Sequence, residues 1–266
     1  MIFTLANIIA AVFYTALAAA LITQIIRQST ARLHYLFTGI GVTLVFHSLG
    51  IYGTSVKPDG IQFSFFSELS LTFWVINILV LLSSLKKPLH NLFIFLLPLS
   101  ALAILAVLLN HSNSSVFKLD FKLGSHVVLS ILAWSLLTIA TLQALLLAYQ
   151  NHQLKAKTNL QYLRYLPPLQ TIEALLFEFL LVGEILLTLS ILTGFVFLEN
   201  IFAQHLVHKT VFSIAAWFVY AFLLLGKYRL GWRGNTAIRW TLAGFLFLML
   251  AYFGTKLVLE IILHRA

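Results

Sequence analysis

Long apolar runs recur along the chain, separated by short polar stretches. The pattern predicts eight membrane-spanning helices, at about 2–26, 31–53, 67–85, 89–110, 124–150, 172–197, 205–226 and 236–262. Between spans two and three, TSVKPDGIQFSFF carries Pro58 and Gly60 and reads as a loop or a shallow interfacial turn. HSNSSVFKLDFK and NHQLKAKTNLQYLRYLPPLQT are polar connections on either side of span five, the second holding Pro167 and Pro168. The first span lacks a basic leader and a small-residue cleavage site, so it reads as retained and not as a signal peptide. No internal repeat is evident, and loops this short point to one all-α polytopic domain over residues 1–266.

Composition agrees with this reading. Hydrophobic residues make up 61% of the 266 and charged residues only 9%, too few to cover a soluble domain of this size. The chain has no cysteine, which excludes disulfides, thiolate metal sites and covalent heme attachment through its own thiols.

The net charge of +9 is distributed as a topology signal. Loops after odd-numbered spans hold Arg27, Arg32, Lys86, Lys87, Lys155, Lys157, Arg164, Lys227, Arg229 and Arg233, without an acid. Loops after even-numbered spans hold Lys57, Asp59, Lys118, Asp120, Lys122 and Glu199. Cationic loops stay cytoplasmic, so both termini are expected on the periplasmic or external side. The cations form no continuous basic surface, and nucleic acid is not an expected partner; membrane lipid is.

In that orientation His47, His111, His126, His205, His208 and His264 fall at or near outer ends of spans, while His34, His90 and His152 fall on the inner side. Neutral imidazole ligates iron well, and helix ends converging on one face could present two of them to a heme. Each also has a plainer use. His126, after Gly124-Ser125, can sit among headgroups, and His264 and His111 can be solvated. His47 is deeper and can bond a neighbouring helix. His205 and His208 are three apart and face nearly the same way.

Glu184 lies near the middle of span six, on the same face as Glu173. An intramembrane carboxyl pairs, relays protons, or stays protonated. Lys209 and Lys256 can snorkel or meet an anionic group such as a heme propionate. Trp134 and Trp217 lie eight and nine residues inward from His126 and His208, a depth at which indoles can flank a macrocycle.

HVVLSILAWSLLTIATLQALLLA resembles the histidine-led span of CcsA and CcmC proteins. HKTVFSIAAWFVYAFLLLGKYRLGWRG followed by FLMLAYFGTKLVLEIILH resembles the C-terminal block of the CcsA type, and SFFSELSLTFW its glutamate-containing segment. The chain thus resembles the cytochrome c assembly superfamily over most of its length, nearest its short HemX- and YpjD-like inner-membrane branch.

The resemblance implies a non-covalent, b-type heme held at the outer face of a bacterial inner membrane and delivered to apocytochrome c or another membrane protein. Carried over by position, the iron ligands are His126 and His264, with His208 as an alternative to His264; His47 is a further intramembrane histidine and Lys209 the lysine after the tryptophan-rich loop. One departure stands out: GFVFLENIFAQHLVHK, from Gly194 to Lys209, contains no tryptophan. No nucleophile–base pair or phosphate loop is visible, so a binding protein is expected and not an enzyme. Two other readings remain: a non-heme accessory or regulatory subunit of the HemX kind, tied to tetrapyrrole synthesis or an ion transporter, and a small-solute or cation transporter using Glu184 and His47.

Overall fold

The computed structural model describes residues 2–27, 33–62, 64–110, 116–117, 120–157, 166–197 and 204–254. Eight helices account for nearly all of them: α1 (Ile2–Ile26), α2 (Leu33–Ser55), α3 (Phe65–Ser84), α4 (Phe93–Leu109), α5 (Phe121–Ala156), α6 (Leu169–Phe197), α7 (Gln204–Leu230) and α8 (Asn235–Met249). Among the described residues, seven helices are long and apolar enough to cross a membrane. By contact the chain divides into two compact units, residues 1–119 and 120–265.

In the first unit α1 packs on α2 and α4, and α3 on α2 and α4. The buried stripe of α1 is Ala6, Asn7, Ala10, Ala11, Tyr14, Ala18 and Leu21, at helical spacing and mostly small. Small residues let helices approach closely where lipid offers no hydrophobic drive to associate. Gly50 of α2 shows the same device: a Cβ there would overlap the Asn7 amide. Helix α3 opens with a capping box, in which Ser64 accepts from the Ser67 amide while the Ser67 hydroxyl accepts from the Ser64 amide. Buried Asn77 of α3 donates to Ser100 of α4 at 2.7 Å.

The connections of this unit hold a small antiparallel sheet, which the sequence pattern did not predict. Strands β1 (Val56–Lys57), β2 (Gly60–Gln62) and β3 (Val116–Phe117) pair in that order, with Val56 opposite Ile61 and Ile61 opposite Phe117. The β1–β2 turn is made by Pro58-Asp59, followed by Gly60 at φ 149°, a conformation that favours glycine.

The second unit is built on the pairing of α5 with α6. Thirty-six residues make α5 about 54 Å long, well beyond the ~30 Å hydrocarbon thickness. It starts three residues before the predicted span, capped by Asp120 accepting from the Phe121 amide, and ends at Lys157 in the left-handed region (φ 54°). Gly183 of α6 brings the two helices together: a Cβ there would stand 3.3 Å from the Leu137 backbone nitrogen. Helices α7 and α8 form a hairpin through Gly231 (φ 67°) and Gly234 (φ 57°). In this turn Trp232 stacks on Trp240, over the space left by Gly226. Beyond Met249 the helix widens into a π turn, Leu250–Gly254.

Contacts between α6 and α7 fix their register. Glu173 bonds the Arg233 guanidinium at 2.9 Å and the Lys227 ammonium at 3.6 Å. Midway, the Trp217 indole N–H donates to Thr188 Oγ1 at 2.8 Å. At the far end Gly194 and Lys209 line one pocket. The two helices therefore run antiparallel.

Candidate functional site

That pocket, a cavity of about 110 Å³, lies at the start of α5 and the end of α6. Helix α5 contributes His126, Ser130 and Trp134, and α6 contributes Ser190 and Gly194. Lys209 and Ser213 come from α7, and Tyr252 from the π turn. Its walls are mainly apolar, with a few polar groups at fixed positions, the usual make-up of a small-molecule site.

His126 is held from the neighbouring helix. Its Nδ1 lies 3.0 Å from the Ser190 carbonyl oxygen and 3.2 Å from Thr193 Oγ1. A carbonyl can only accept. The Thr193 hydroxyl proton is already directed at the Leu189 and Ser190 carbonyls, at 2.9 and 3.0 Å, so that oxygen also accepts. Nδ1 must therefore carry a ring proton, and in the neutral imidazole Nε2 keeps a bare lone pair. Histidines that ligate metals are oriented in this way, by an Nδ1–H to a carbonyl that fixes tautomer and ring plane. Gly194 makes room for the ring, since a Cβ there would come within 3.1 Å of Cε1.

A second set of bonds holds the wall behind the ring. Ser130 donates to the His126 carbonyl at 2.8 Å and accepts from Ser190 Oγ at 2.7 Å, tying α5 to α6. On the opposite side Trp134 packs on Tyr252 with ring centroids 4.8 Å apart, and the Lys209 ammonium lies 4.8 Å above the Tyr252 ring.

Of the residues singled out from the sequence, the pocket unites His126, Lys209 and Trp134. Trp217 lies deeper on α7, bonded to Thr188. His264 lies outside the described residues, and His208 and His205 fall in α7 where side chains are not described. His47 belongs to the first unit and is fully buried. Its Nδ1 is 3.1 Å from the Tyr14 hydroxyl and its Nε2 2.8 Å from the Ser70 hydroxyl, so both ring nitrogens are engaged. Glu184 is buried in the second unit, and among the described residues its carboxyl has no hydrogen-bond partner. Among the described residues no group of three His, Cys, Asp or Glu side chains converges.

Ser190, Thr193, Gly194 and Tyr252 were not picked out beforehand. Thr193-Gly194 interrupts an apolar helix near its end, a signal that becomes meaningful only once α5 is known to lie against it.

Comparison with known proteins adds a lineage. The chain matches, over residues 37–263, the model of a family described as Cytochrome C assembly protein. It is 42% identical over 137 residues to the inner membrane protein YpjD of Escherichia coli strain K12, covering 52% of each chain. It is 34% identical over 140 residues to an uncharacterized 28.8 kDa protein in the nifR3-like 5' region of Azospirillum brasilense, again 52% of each. The chain thus spans about half the length of the curated relatives it matches. No solved structure matches.

Proposed function

This chain belongs to the cytochrome c assembly protein family, and from that premise we propose that it binds heme at the outer end of its second unit, for handling or transfer in cytochrome c maturation. It is a multi-pass inner-membrane protein, as its seven candidate spans and the relative named inner membrane protein YpjD support. The observation that carries the heme reading is the fixed tautomer of His126, with Nδ1–H on the Ser190 carbonyl and the Nε2 lone pair left free.

The donor chemistry, a neutral imidazole, would suit an iron ligand of a non-covalent heme. His126 would supply that ligand, and either His264 or His208 the second. Lys209 would face a propionate, and the Trp134–Tyr252 wall offers an aromatic face to a flat ring. The cavity of about 110 Å³ is small beside the ~300–1,000 Å³ typical of sites that enclose a drug-sized ligand. Bound heme would supply the iron; the chain's part is to orient an imidazole and offer a cation, without turnover of its own. Apocytochrome c or a second membrane protein is the proposed recipient.

The test is an absorption spectrum of the detergent-purified protein with added hemin, oxidised and then dithionite-reduced. Sharp low-spin bands that disappear in His126→Ala support the reading; bands unchanged in that variant overturn it. A protein that takes up no stoichiometric heme would instead be an accessory subunit. The tryptophan-free segment from Gly194 to Lys209 favours that second reading.

A further inference from the structure

Glu184 stands midway along α6, 7% exposed, and among the described residues neither of its carboxyl oxygens has a hydrogen-bond partner. The α6–α7 register shows what faces it. Thr188, one turn along α6, accepts from Trp217, and one turn farther along α7 in the opposite sense is Tyr220. Tyr220 is fully buried, its hydroxyl directed at Thr141 of α5 and its ring close enough to Glu184 to feel its charge. Helix α8 receives the phenol at Gly244, where a Cβ would come 2.6 Å from the ring, and one turn away holds buried Thr241 with its hydroxyl unpartnered. Helix α5 brings Thr141, whose hydroxyl proton is given to the Leu137 carbonyl at 2.8 Å, so that oxygen can only accept.

Among the described residues, α5, α7 and α8 thus bring neutral oxygens to this level of the bundle, and none brings a cation. The charged and titratable groups of α5 (Lys122, His126, Tyr149, His152, Lys155) lie toward its ends. On α7 the one such group at this level is Tyr220; Lys209 lies over Tyr252 and Lys227 beside Glu173. On α8 they are Arg239 and, in the turn before it, Arg233, which is bound to Glu173. Glu173 and Gly194 are 11 and 10 residues from Glu184, about 16 and 15 Å of helix, so both charged ends are remote. An ionised carboxylate without partner or countercharge is far more costly at this depth than a neutral acid.

We propose that Glu184 is an intramembrane proton-binding site, occupied at neutral pH and charged with protons from the pocket end. The pocket floor (Leu187, Ser213, Leu248) is about one turn above Glu184, Trp217 and Gly244, and this is the short way in. The site is independent of whether heme binds at His126.

Infrared spectra of the full chain in lipid nanodiscs at pH 7 test this directly. The wild type minus Glu184→Gln difference should contain the C=O stretch of a protonated carboxylic acid. The band should be the same in sodium and potassium buffers and should shift in D2O. Gln is isosteric with the neutral acid and should fold; Glu184→Asp, which should move the band without removing it, is the second variant. Absence of the band at pH 7, its failure to exchange in D2O, or its loss when sodium replaces potassium would each overturn the proposal, the last in favour of a sodium site.

Discussion

The Nδ1 of His126 and the carbonyl oxygen of Ser190 are 3.0 Å apart, and this contact determines which ring nitrogen can meet a ligand. Ser190 belongs to the α6 turn that also holds Thr193 and Gly194, so α6 presents two acceptors and a gap to one imidazole of α5. The ring is oriented by a neighbouring helix before any ligand arrives.

Gly194→Ala should therefore weaken hemin binding without unfolding the protein. The new methyl would stand 3.1 Å from Cε1, so the ring must turn by a few tenths of an ångström and its Nδ1–H bond must lengthen. Loss of such outer contacts typically costs 10–100-fold in metal affinity. A loss of about tenfold is expected in a hemin titration, with the thermal unfolding midpoint little changed. Equal affinity in the two proteins would separate His126 orientation from binding.

His47→Ala should do the reverse. The ring joins three helices, through Tyr14 of α1 and Ser70 of α3, and truncation leaves two buried hydroxyls without it. Each stranded group costs about 1–3 kcal/mol. A clear drop in the unfolding midpoint is expected, with the spectrum of any bound heme unaltered. A changed heme spectrum at unchanged stability would assign His47 to the ligand instead.

Much of this was legible in the sequence because lipid imposes one strong rule: a spanning backbone must satisfy itself, and long apolar runs are the result. The helices follow the predicted spans to within a few residues at most described ends; the end of the eighth span lies outside the described residues. The excess length of α5 was hidden because its last turns, through Gln150 and His152, are polar yet still helical. The β1–β2–β3 sheet was hidden because strands of two and three residues carry no periodicity, and β3 pairs with a segment more than fifty residues away. At the site, His126 and Lys209 were visible as polar residues at span ends. Gly194 and Ser190 were not, since their role depends on which helix α6 lies against, and hydropathy does not encode packing order.

Trp217→Phe should test the α6–α7 contact between the pocket and Glu184. The change keeps an aromatic ring but removes the N–H that Thr188 accepts at 2.8 Å. A typical net hydrogen bond is worth about 0.5–1.5 kcal/mol, so a modest fall in midpoint is expected, and Thr188→Val should not lower it much further in the double variant. Additive losses would mean that the two side chains act separately.

Glu173 offers the sharpest test of how the α7–α8 turn is held. Its carboxyl is buried, whereas the side chain of Arg233 is 60% exposed and that of Lys227 is 28% exposed. Either cation alone can compensate the carboxylate. Arg233→Ala and Lys227→Ala should each cost little, below about 1 kcal/mol, because the exposed partner contributes in a screened environment and the other remains. Removing both leaves a buried carboxylate unpaired, and that should cost about 3–5 kcal/mol, far more than the sum of the singles. Adding Glu173→Gln to the double variant should restore most of the loss, since an amide carries no charge to strand. Thermal unfolding of the wild type and these four variants in one detergent measures this coupling. Additive single effects, or no rescue by Gln, would show that Glu173 does not depend on these cations.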